Sequence, residues 1–282
     1  MSNNMISLTD QTLIVLVLYN CAIENSEAYK SLILTNKDKN LNIFIYNNSP
    51  EYKVELPNNH LKQLEIVNDN TNSGVSKAYN AGAEKAKELN LNWILLLDQD
   101  TIFPTRFFEK TSESVKNFPS EKLFAPILQS NNQILSPCSF KFNRGRISKN
   151  VTLGVNTFKN KSLLNSGMLI DVDAFREIGG YNEKIKLDFS DFYFIHKFQK
   201  KYNHFILTDN NCTHDLSSSE VDLNKQLVRF NFYCSGAFEY GKSTNQLIQV
   251  IILITFRTLI VTWRNKTLKF FLIYVKNFFY IN

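Results

Sequence analysis

Cysteine is scarce in this sequence, and its spacing favours no disulfide framework. The four cysteines, Cys21, Cys138, Cys212 and Cys234, lie far apart and form no C-x-x-C pair. Because nothing indicates a secreted protein either, we expect reduced thiols in a cytoplasm. Charged residues make up 21% and hydrophobic residues 44% of the 282 residues. This composition argues against a disordered chain, a collagen-like repeat and a polytopic membrane protein.

Acidic residues are absent from the last part of the chain. No Asp or Glu follows Tyr240, whereas six of the 32 Lys and Arg residues lie there, so this tail accounts for the whole net charge of +6. A nucleic-acid-binding protein would spread its basic residues over the folded surface, so we expect no nucleic-acid partner. A basic tail rich in aromatic and aliphatic residues instead suits the anionic inner surface of the cell membrane.

Long apolar segments are also missing. Residues 1–12 lack Lys and Arg, and the apolar run 13–18 is too short for a signal peptide. The longest uncharged stretch of the tail, residues 243–256, has 14 residues, fewer than the roughly 20 that span a bilayer. We therefore expect residues 216–282 to form basic amphipathic helices that lie on the membrane, which makes the protein peripheral and cytoplasmic. The alternative is a helical pair that packs on the domain.

Short apolar runs alternate with helical stretches over the first hundred residues. The runs that predict buried strands are 13–18 (LIVLVL), 43–46 (IFIY), 64–67 (LEIV) and 93–97 (WILLL). Residues 25–35 and 75–89 predict helices between them. This β-α-β-α-β order predicts an α/β fold with a mostly parallel sheet, whose ligands bind at the carboxyl ends of the strands.

Polar clusters follow the predicted strands. In chain order they are Tyr19-Asn20, Asn47-Asn48-Ser49, Asn72-Ser73-Gly74 and Asp98-Gln99-Asp100. The first three alone indicate little more than turns. Asp98 and Asp100 are more informative, because neighbouring carboxylates repel each other unless they are solvated or bind a cation.

A divalent cation would explain the paired carboxylates. Oxygen ligands from Asp and from phosphate suit Mg²⁺ or Mn²⁺, and the bound ion would neutralise a diphosphate leaving group. The alternative is a pair of solvated loop aspartates. The similar Asp171-Val172-Asp173 is interpreted as an accidental repeat of the pattern, since it precedes a helix and not a substrate crevice.

The whole series resembles the family-two inverting glycosyltransferases of the GT-A fold, especially their bacterial rhamnosyltransferase-like members. That family has Tyr-Asn, Asp-Asn-Ser, Asn-x-Gly-x-x-x-Ala-x-Asn-x-Gly and Leu-Asp-Gln-Asp, which match residues 19–20, 47–49, 72–82 and 97–100 in order and spacing. The likeness continues at residues 165–168, 178–181, 188–191 and 213–214. It implies a GT-A catalytic domain over residues 1–215, with a Rossmann-like, mixed and mostly parallel sheet, and a C-terminal helical extension over residues 216–282.

By the same resemblance, the donor nucleotide binds beside the first strands. Four residues would surround its base and ribose: Tyr19, Asn20, Asn47 and Asn72. The family usually has Asp where Asn47 stands; an Asn oxygen still accepts a hydrogen bond from the pyrimidine, although Asn47 also suits an ordinary turn. Gly74 and Ala78 would let the sugar nucleotide approach the helix, or they serve helix start and packing. For Asn80, a ligand contact and a buried polar bond both stay open.

The resemblance also assigns the metal and the donor sugar. Asp98 would contact the ribose, Asp100 would ligate Mn²⁺ or Mg²⁺, and His214 would complete the metal shell as a neutral imidazole. Asn165 and Gly167 would place small groups near the donor sugar.

The acceptor hydroxyl needs a base, because a hydroxyl is a poor nucleophile. A carboxylate within reach of its proton contributes about 10² to 10⁴ in rate. In the family this residue is the last Asp of an Asp-x-x-Asp stretch, which makes Asp191 the predicted base and Asp188 the second choice. The alternative is that both cap the following helix.

These inferences predict a metal-dependent inverting glycosyltransferase that acts in the synthesis of cell-surface polysaccharide, such as O-antigen or capsule. The Leu-Asp-Gln-Asp form favours dTDP-rhamnose as donor, and a UDP-hexose or UDP-galactofuranose donor stays open. The basic amphipathic tail and the family together favour a lipid-linked glycan as acceptor. Three other classes also remain: a haloacid-dehalogenase-like phosphohydrolase, a noncatalytic module that binds sugar nucleotides, and a membrane-surface scaffold.

Overall fold

Four parallel strands form the half of the sheet that the apolar runs predict. The computed structural model describes residues 7–36, 40–49, 51, 53–55, 63–214 and 222–279. The four strands are β1 (Thr12–Leu18), β2 (Asn42–Asn47), β3 (Gln63–Asn68) and β4 (Trp93–Asp98). They lie side by side in the order β3-β2-β1-β4. The predicted strands are thus confirmed, and their carboxyl ends meet at one edge.

The other half of the sheet is mostly antiparallel. Its strands are β5 (Thr101–Ile102), β6 (Leu123–Ser130), β7 (Gln133–Lys141), β8 (Arg144–Ser148), β9 (Gly154–Thr157), β10 (Lys161–Ser162), β11 (Leu169–Asp171) and β12 (His204–His214). β11 runs antiparallel between β4 and β6. β12 runs parallel to β6 and antiparallel to β5 and β9. This mixed sheet confirms the predicted fold class.

Seven α-helices accompany the sheet within the described residues. They are α1 (Val75–Glu88), α2 (Phe107–Asn117), α3 (Val172–Glu177), α4 (Ser190–Phe198), α5 (Leu223–Ser243), α6 (Leu247–Asn265) and α7 (Lys269–Phe279). The helix predicted for residues 75–89 is α1. Asp171 caps α3 by accepting a hydrogen bond of 2.9 Å from the Ala174 N–H. The second D-x-D therefore serves a helix start, as predicted.

The helix predicted for residues 25–35 is not a regular α-helix. The chain forms short helical turns there, at Ile23–Asn25, Tyr29–Ile33 and Leu34–Asn36. Tertiary bonds compete with regular helix geometry at its start, because the Ala28 N–H and the Ser26 hydroxyl both donate to the Gln99 carbonyl. This correction links the segment directly to the Asp98-Gln99-Asp100 turn.

Strand β1 is buried on both faces of the sheet, which explains its continuous apolar run. Because side chains alternate along a strand, Val15 and Val17 pack with α1 on one face, while Ile14 and Leu16 pack with the helical turns on the other. The α1 backbone comes so close that a Cβ on Gly82 would lie 2.5 Å from Val15 Cγ2. This packing fixes α1 against the strands that carry the polar clusters.

The three C-terminal helices share a separate apolar cluster. α5, α6 and α7 bury aromatic and aliphatic side chains together with Ile185 and Phe189 of the segment before α4. The predicted helical extension is therefore present, although the boundary at residues 215–216 lies outside the described residues. Within the described part, only α6 has the length and composition to cross a membrane: it has 19 residues, and the mean hydropathy of its most apolar part is 1.6.

Candidate active site

The Asp98-Gln99-Asp100 turn is tied to the end of β1. The Tyr19 N–H donates to Gln99 Oε1 at 2.7 Å, and Gln99 Nε2 donates back to the Tyr19 carbonyl at 3.3 Å. Asn20 has a φ of 47°, and its N–H donates to Ser49 Oγ at 2.7 Å. The first, second and fourth polar clusters are thus brought together. Tyr19 itself is 45% exposed and its ring is accessible to a ligand.

The side chain of Asn47 makes its hydrogen bonds within the protein. Its side chain is fully buried; Oδ1 accepts a bond of 3.2 Å from the Ser49 N–H, and Nδ2 donates to Asn68 Oδ1 at 2.7 Å. These hydrogen bonds are the ones expected if Asn47 serves an ordinary turn. The predicted contact between Asn47 and a pyrimidine base stays a prediction.

Asp69 organises the turn before α1, and the sequence reasoning did not single it out. Its carboxylate accepts hydrogen bonds from the N–H and hydroxyl groups of Thr71 and Ser73, and from the Tyr46 hydroxyl at 3.0 Å. Burial acts to raise the pKa of Asp69, but the bonds from Ser73 and Thr71 outweigh it and hold the pKa well below its usual value. Asp followed by Thr and Ser at the second and fourth positions is the available signal, since such side chains favour turns.

Asn72 and Gly74 shape this turn with left-handed backbone angles, φ of 50° and 100°. The chain before α4 presses against it: a Cβ on Gly74 would lie 2.3 Å from the Lys186 carbonyl oxygen. The same carbonyl accepts the Val75 N–H at 2.8 Å, and Lys186 Nζ donates to the Asn72 carbonyl at 3.1 Å. Close backbone packing therefore requires the glycine, and the ammonium of Lys186, which the sequence analysis missed, lies beside the turn.

Asn80 and Ala78 of α1 make contacts within the protein. Asn80 Oδ1 accepts the Tyr181 N–H at 2.8 Å, and its Nδ2 donates to the Tyr181 carbonyl at 3.1 Å and to Glu183 Oε1 at 3.0 Å. Ala78 is fully buried in the core. The geometry favours the structural alternatives for these two residues, because the Asn80 amide holds the loop that leads to α4.

Asp100 and His214 are brought together although 114 positions separate them. β12 ends at His214 and pairs with Thr101 of β5, which places His214 Nδ1 3.5 Å from Asp100 Oδ1. Thr101 Oγ1 lies 2.8 Å from the same Nδ1. The side chains of Asp100 and His214 are 35% and 15% exposed, so a ligand can reach both.

This donor set fits the predicted divalent cation. A carboxylate suits Mn²⁺ or Mg²⁺, and a neutral imidazole can complete the shell. Among the described residues no group of three or more His, Cys, Asp or Glu forms a metal cluster. Phosphate oxygens of a bound nucleotide and water would therefore have to supply the remaining ligands, as expected for an ion that binds with its substrate.

Ser166 accepts hydrogen bonds from both ends of the segment that carries Asp98 and Asp100. Its buried Oγ accepts the Asp98 N–H at 3.1 Å and the Thr101 hydroxyl at 2.8 Å. Asn165 Oδ1 accepts the Tyr181 hydroxyl at 2.7 Å. Gly167 has a φ of 82°, and a Cβ there would lie 2.5 Å from Pro126 Cγ. The Asn-Ser-Gly motif thus acts in the described structure as a support, and its predicted approach to the donor sugar stays untested.

Asp98 accepts a hydrogen bond from a fully buried tyrosine. The Tyr79 hydroxyl donates to Asp98 Oδ1 at 2.6 Å. Burial raises the pKa of Tyr79 well above its ordinary value, and the charge of Asp98 adds to this. Tyr79 therefore remains a hydrogen-bond donor and fixes one oxygen of Asp98.

Asp191 has the electrostatic properties of a general base. It lies at the start of α4, where its Oδ1 accepts the Phe192 N–H at 2.7 Å. Burial raises the pKa of Asp191 to about 7; the Phe192 N–H opposes this, and the charges of Asp188 and Asp98 add to it. A carboxylate whose pKa lies near neutral pH is well matched to take a proton from a hydroxyl.

Asp188 differs from Asp191 in its charged neighbours. Burial raises its pKa, while the cations Arg229 and Arg257 of the C-terminal helices act to lower it. Its Oδ2 is buried and has no hydrogen-bond partner within the described part of the chain. Asp188 is thus balanced by charge at a distance, which suits a residue that holds the loop more than one that takes up a proton.

Helix α5 supports the loop that carries Asp188 and Asp191. Phe189 adopts a φ of 72°, and its ring packs 5.3 Å from the Tyr233 ring and 5.6 Å from the Tyr240 ring. A Cβ on Gly236 would lie 2.6 Å from the Asp188 carbonyl oxygen. The C-terminal helices therefore contact the predicted catalytic loop directly, which sequence periodicity did not indicate.

A cavity of about 560 Å³ borders the start of α4. Phe192, which follows Asp191, lines it together with Cys138, Gly145 and the arginines Arg144 and Arg146. Burial raises the pKa of the Cys138 thiol to about 12, and the charge of Asp191 adds to this, so the cavity is close to the predicted base, Asp191. It is large enough for a sugar ring and has both apolar and cationic walls.

Comparisons with known proteins concern the family and the fold. Residues 13–132 match the model of the family Glycosyl transferase family 2, a stretch that runs from β1 to the turn after β6. The matched stretch contains the motifs at residues 19–20, 47–49, 72–82 and 97–100, and it supports the resemblance to family-two glycosyltransferases. Asp191 and His214 lie beyond the matched stretch.

A curated relative has a more specific name. The chain is 25% identical over 179 residues to the dTDP-rhamnosyl transferase RfbF of Shigella flexneri, which covers 63% of this chain and 59% of the relative. The aligned part therefore spans less than two thirds of that relative's length.

Solved structures share the fold. TarS 1-349 of S. aureus superposes with a TM-score of 0.51 at 13% identity, over 91% of this chain and 92% of that one. Its complex with UDP-GlcNAc gives 0.53 at 12% identity, over 81% and 66%. GalNAc-T7 with UDP, GalNAc and Mn²⁺ gives 0.54 at 12% identity, over 87% and 56%. These likenesses establish the GT-A fold.

Proposed function

We propose that the protein is an inverting glycosyltransferase that moves one sugar from a nucleotide diphosphate donor to an acceptor hydroxyl. The observation that supports the proposal is that Asp100 and His214 lie 3.5 Å apart, while Asp191 has a pKa of about 7 to which the nearby charge of Asp98 contributes. The family-two match favours sugar transfer over the phosphohydrolase alternative.

In the proposed reaction Asp191 takes the proton of the acceptor hydroxyl. At the same time the hydroxyl oxygen of the acceptor attacks the anomeric carbon of the donor sugar, and the bond to the nucleoside diphosphate breaks. The attack is in line with the leaving nucleoside diphosphate, so the configuration inverts. Asp100 and His214 would hold Mn²⁺ or Mg²⁺, which when bound neutralises charge on the diphosphate. Tyr79 and Ser166 fix the turn that carries Asp98 and Asp100, so that the site is ordered before the donor arrives.

The proposed donor is dTDP-rhamnose, which the RfbF likeness supports. The TarS structure with UDP-GlcNAc and the GalNAc-T7 structure with UDP keep a UDP-sugar as the second candidate. The proposed acceptor is a lipid-linked glycan of a cell-surface polysaccharide, at the inner face of the cytoplasmic membrane. Its terminal sugar would enter the cavity beside Asp191, where Phe192 offers an apolar wall.

The test is a donor panel. Purified protein with Mn²⁺ is incubated with dTDP-rhamnose, UDP-glucose, UDP-galactose and UDP-galactofuranose, and release of the nucleoside diphosphate is measured. We expect dTDP-rhamnose to be consumed fastest, and no consumption in EDTA. Consumption of none of these donors with Mn²⁺ present would refute the proposal.

The base has its own test. Asp191→Asn should keep donor binding and lose transfer by about 10² to 10⁴, while Asp173→Asn, an exposed acid paired with Lys87 at 3.2 Å, should change neither. If the protein were instead a noncatalytic sugar-nucleotide module, the wild type, Asp191→Asn and Asp173→Asn would all bind donor equally and none of them would transfer sugar.

A further inference from the structure

Helix α6 has an apolar side that the protein does not cover. It buries Val250, Ile254 and Thr258 against its neighbouring helices. On the opposite side six large apolar residues are each more than half exposed: Ile248, Ile252, Phe256, Leu259, Ile260 and Trp263. Their spacing of three and four residues makes one continuous stripe, here named the outer face. Soluble proteins rarely expose so many contiguous apolar groups.

The outer face continues across the turn into α7. Leu268 and Leu272 are 70% and 63% exposed, so the apolar surface spans two helices. The α6–α7 segment contains no Asp or Glu, and basic side chains gather at its turn, namely Arg264, Lys266 and Lys269. An apolar surface edged by cations has the composition of a surface that meets anionic lipid.

The residues of this turn line an open cavity of about 530 Å³. Lys266 ends α6 in the left-handed conformation, with a φ of 49°, and bends the chain around it. The lining includes Arg264, Lys266 and Thr262, and the buried Thr262 Oγ1 has no hydrogen-bond partner among the residues that the structure describes. The cavity thus combines two cations with an unsatisfied hydroxyl, next to Trp263, which is 83% exposed.

We propose that the outer face docks on a membrane and that the turn cavity binds the phosphate headgroup of an anionic phospholipid. The apolar side chains enter the boundary between headgroups and acyl chains, Trp263 sits at headgroup depth, as tryptophan does at interfaces, and Arg264 and Lys266 pair with the phosphate. This takes the peripheral location proposed above one step further, to a named surface and a ligand class.

The helix lies on the membrane and does not cross it. Polar side chains of α6 contact the neighbouring helices. The Arg257 guanidinium lies 4.2 Å above the Tyr233 ring of α5, and Thr255 Oγ1 is 2.9 Å from the Tyr274 hydroxyl of α7. A spanning α6 would break these contacts and remove Arg257 from Asp188, whose charge it balances. Lying flat keeps them and buries only the exposed stripe.

Tryptophan fluorescence gives a direct test, because the chain has two tryptophans and Trp93 is buried in β4 at 8% exposure. The Trp93→Phe variant reports Trp263 alone. We expect its emission to shift to the blue, and the protein to float, with vesicles of equal parts phosphatidylcholine and phosphatidylglycerol. Phosphatidylcholine vesicles and free inorganic phosphate should leave the emission unchanged.

Charge removal tests the headgroup site. Arg264→Gln/Lys266→Gln should weaken binding to the anionic vesicles about tenfold or more. The matched control Lys116→Gln/Lys159→Gln removes two exposed charges elsewhere and should bind as the parent does. Equal vesicle affinity of both double variants, or no blue shift with the anionic vesicles, would overturn the proposal.

A second copy of the chain is the competing occupant of the outer face. It would give a blue shift that grows with protein concentration in the absence of lipid, and that result would also overturn the proposal. Because all these readouts measure lipid or self-association and the variants lie outside the nucleotide site, donor binding should be unchanged in each. Membrane docking and sugar transfer can therefore fail independently.

Discussion

Replacing the predicted base should make the protein more stable as well as inactive. Burial and neighbouring acids raise the pKa of Asp191 from 3.8 to about 7. In the unfolded chain the carboxyl ionises near its ordinary value, so between about pH 4 and pH 7 the unfolded state gains from ionisation and the folded state does not. The wild-type protein therefore loses stability across this interval, and Asp191→Asn does not.

The size of the effect follows from the shift. About three pKa units at 1.36 kcal/mol each amount to about 4 kcal/mol at pH 7 and above. The gain in the free energy of unfolding from Asp191→Asn should be small near pH 4, rise by about 1.4 kcal/mol per pH unit, and level off above pH 7. Solvent and structural relaxation would reduce it, which makes this figure an upper bound.

The assay is urea unfolding followed by circular dichroism at several pH values, in EDTA so that no bound cation alters the site. Asp173→Asn serves as the control, because its carboxylate is exposed at 80% and its removal should give no such trend. A gain that does not change between pH 4 and pH 8, or no gain at all, would refute the assignment of a raised pKa. In the active enzyme, kcat should rise with pH through about 7 and then level off.

Three further outcomes follow from single contacts. Asp100→Asn should abolish the Mn²⁺-dependent part of dTDP binding, measured by calorimetry, and an unchanged affinity would remove Asp100 from the metal site. Gly74→Ala should lower the free energy of unfolding by about 1–3 kcal/mol, because the new Cβ would meet the Lys186 carbonyl at 2.3 Å where φ is 100°; a melting temperature equal to wild type would contradict this. Gly236→Ala should reduce sugar transfer and leave donor binding intact, since its Cβ would displace the Asp188 carbonyl, 2.6 Å away; parallel losses of both would indicate general unfolding instead.

The parallel half of the sheet could be predicted because its strands are buried on both faces and read as continuous apolar runs. The pairing of the antiparallel half could not be predicted, since β11 pairs with β4 and β12 pairs with β5 and β6, and these partners lie far apart in the chain. The segment 25–35 has a helical pattern, yet its bonds to the Gln99 carbonyl break it into short turns. Tertiary contacts decide its form, and these are not visible in local periodicity.

The candidate site shows the same division. Asp98 and Asp100 could be named because two acids at the end of a buried strand need a reason, and Asp191 could be named from the family's Asp-x-x-Asp pattern. Asp69 was not named, and the bonds of Ser166 to the carboxylate turn were not predicted, because both depend on partners that only the folded chain supplies.

The C-terminal region shows that an amphipathic pattern does not reveal which neighbour a helix will contact. Residues 243–256 were too short a stretch to suggest a spanning helix, but α6 includes Arg257 and Arg264 in a longer one. Whether its apolar stripe would be covered depended on the packing of α5 and α7. Only the structure separates the side that packs from the outer face.

The contact between Gly236 and the Asp188 carbonyl has a practical consequence for dissecting the protein. A fragment that stops at residue 215 would contain every predicted metal and nucleotide residue, yet the loop bearing Asp191 would have no surface to rest on. We expect such a fragment to bind donor while its proton acceptor drifts out of position. Donor binding and sugar transfer would then be separated by truncation, and the last quarter of the chain would be needed for the transfer step.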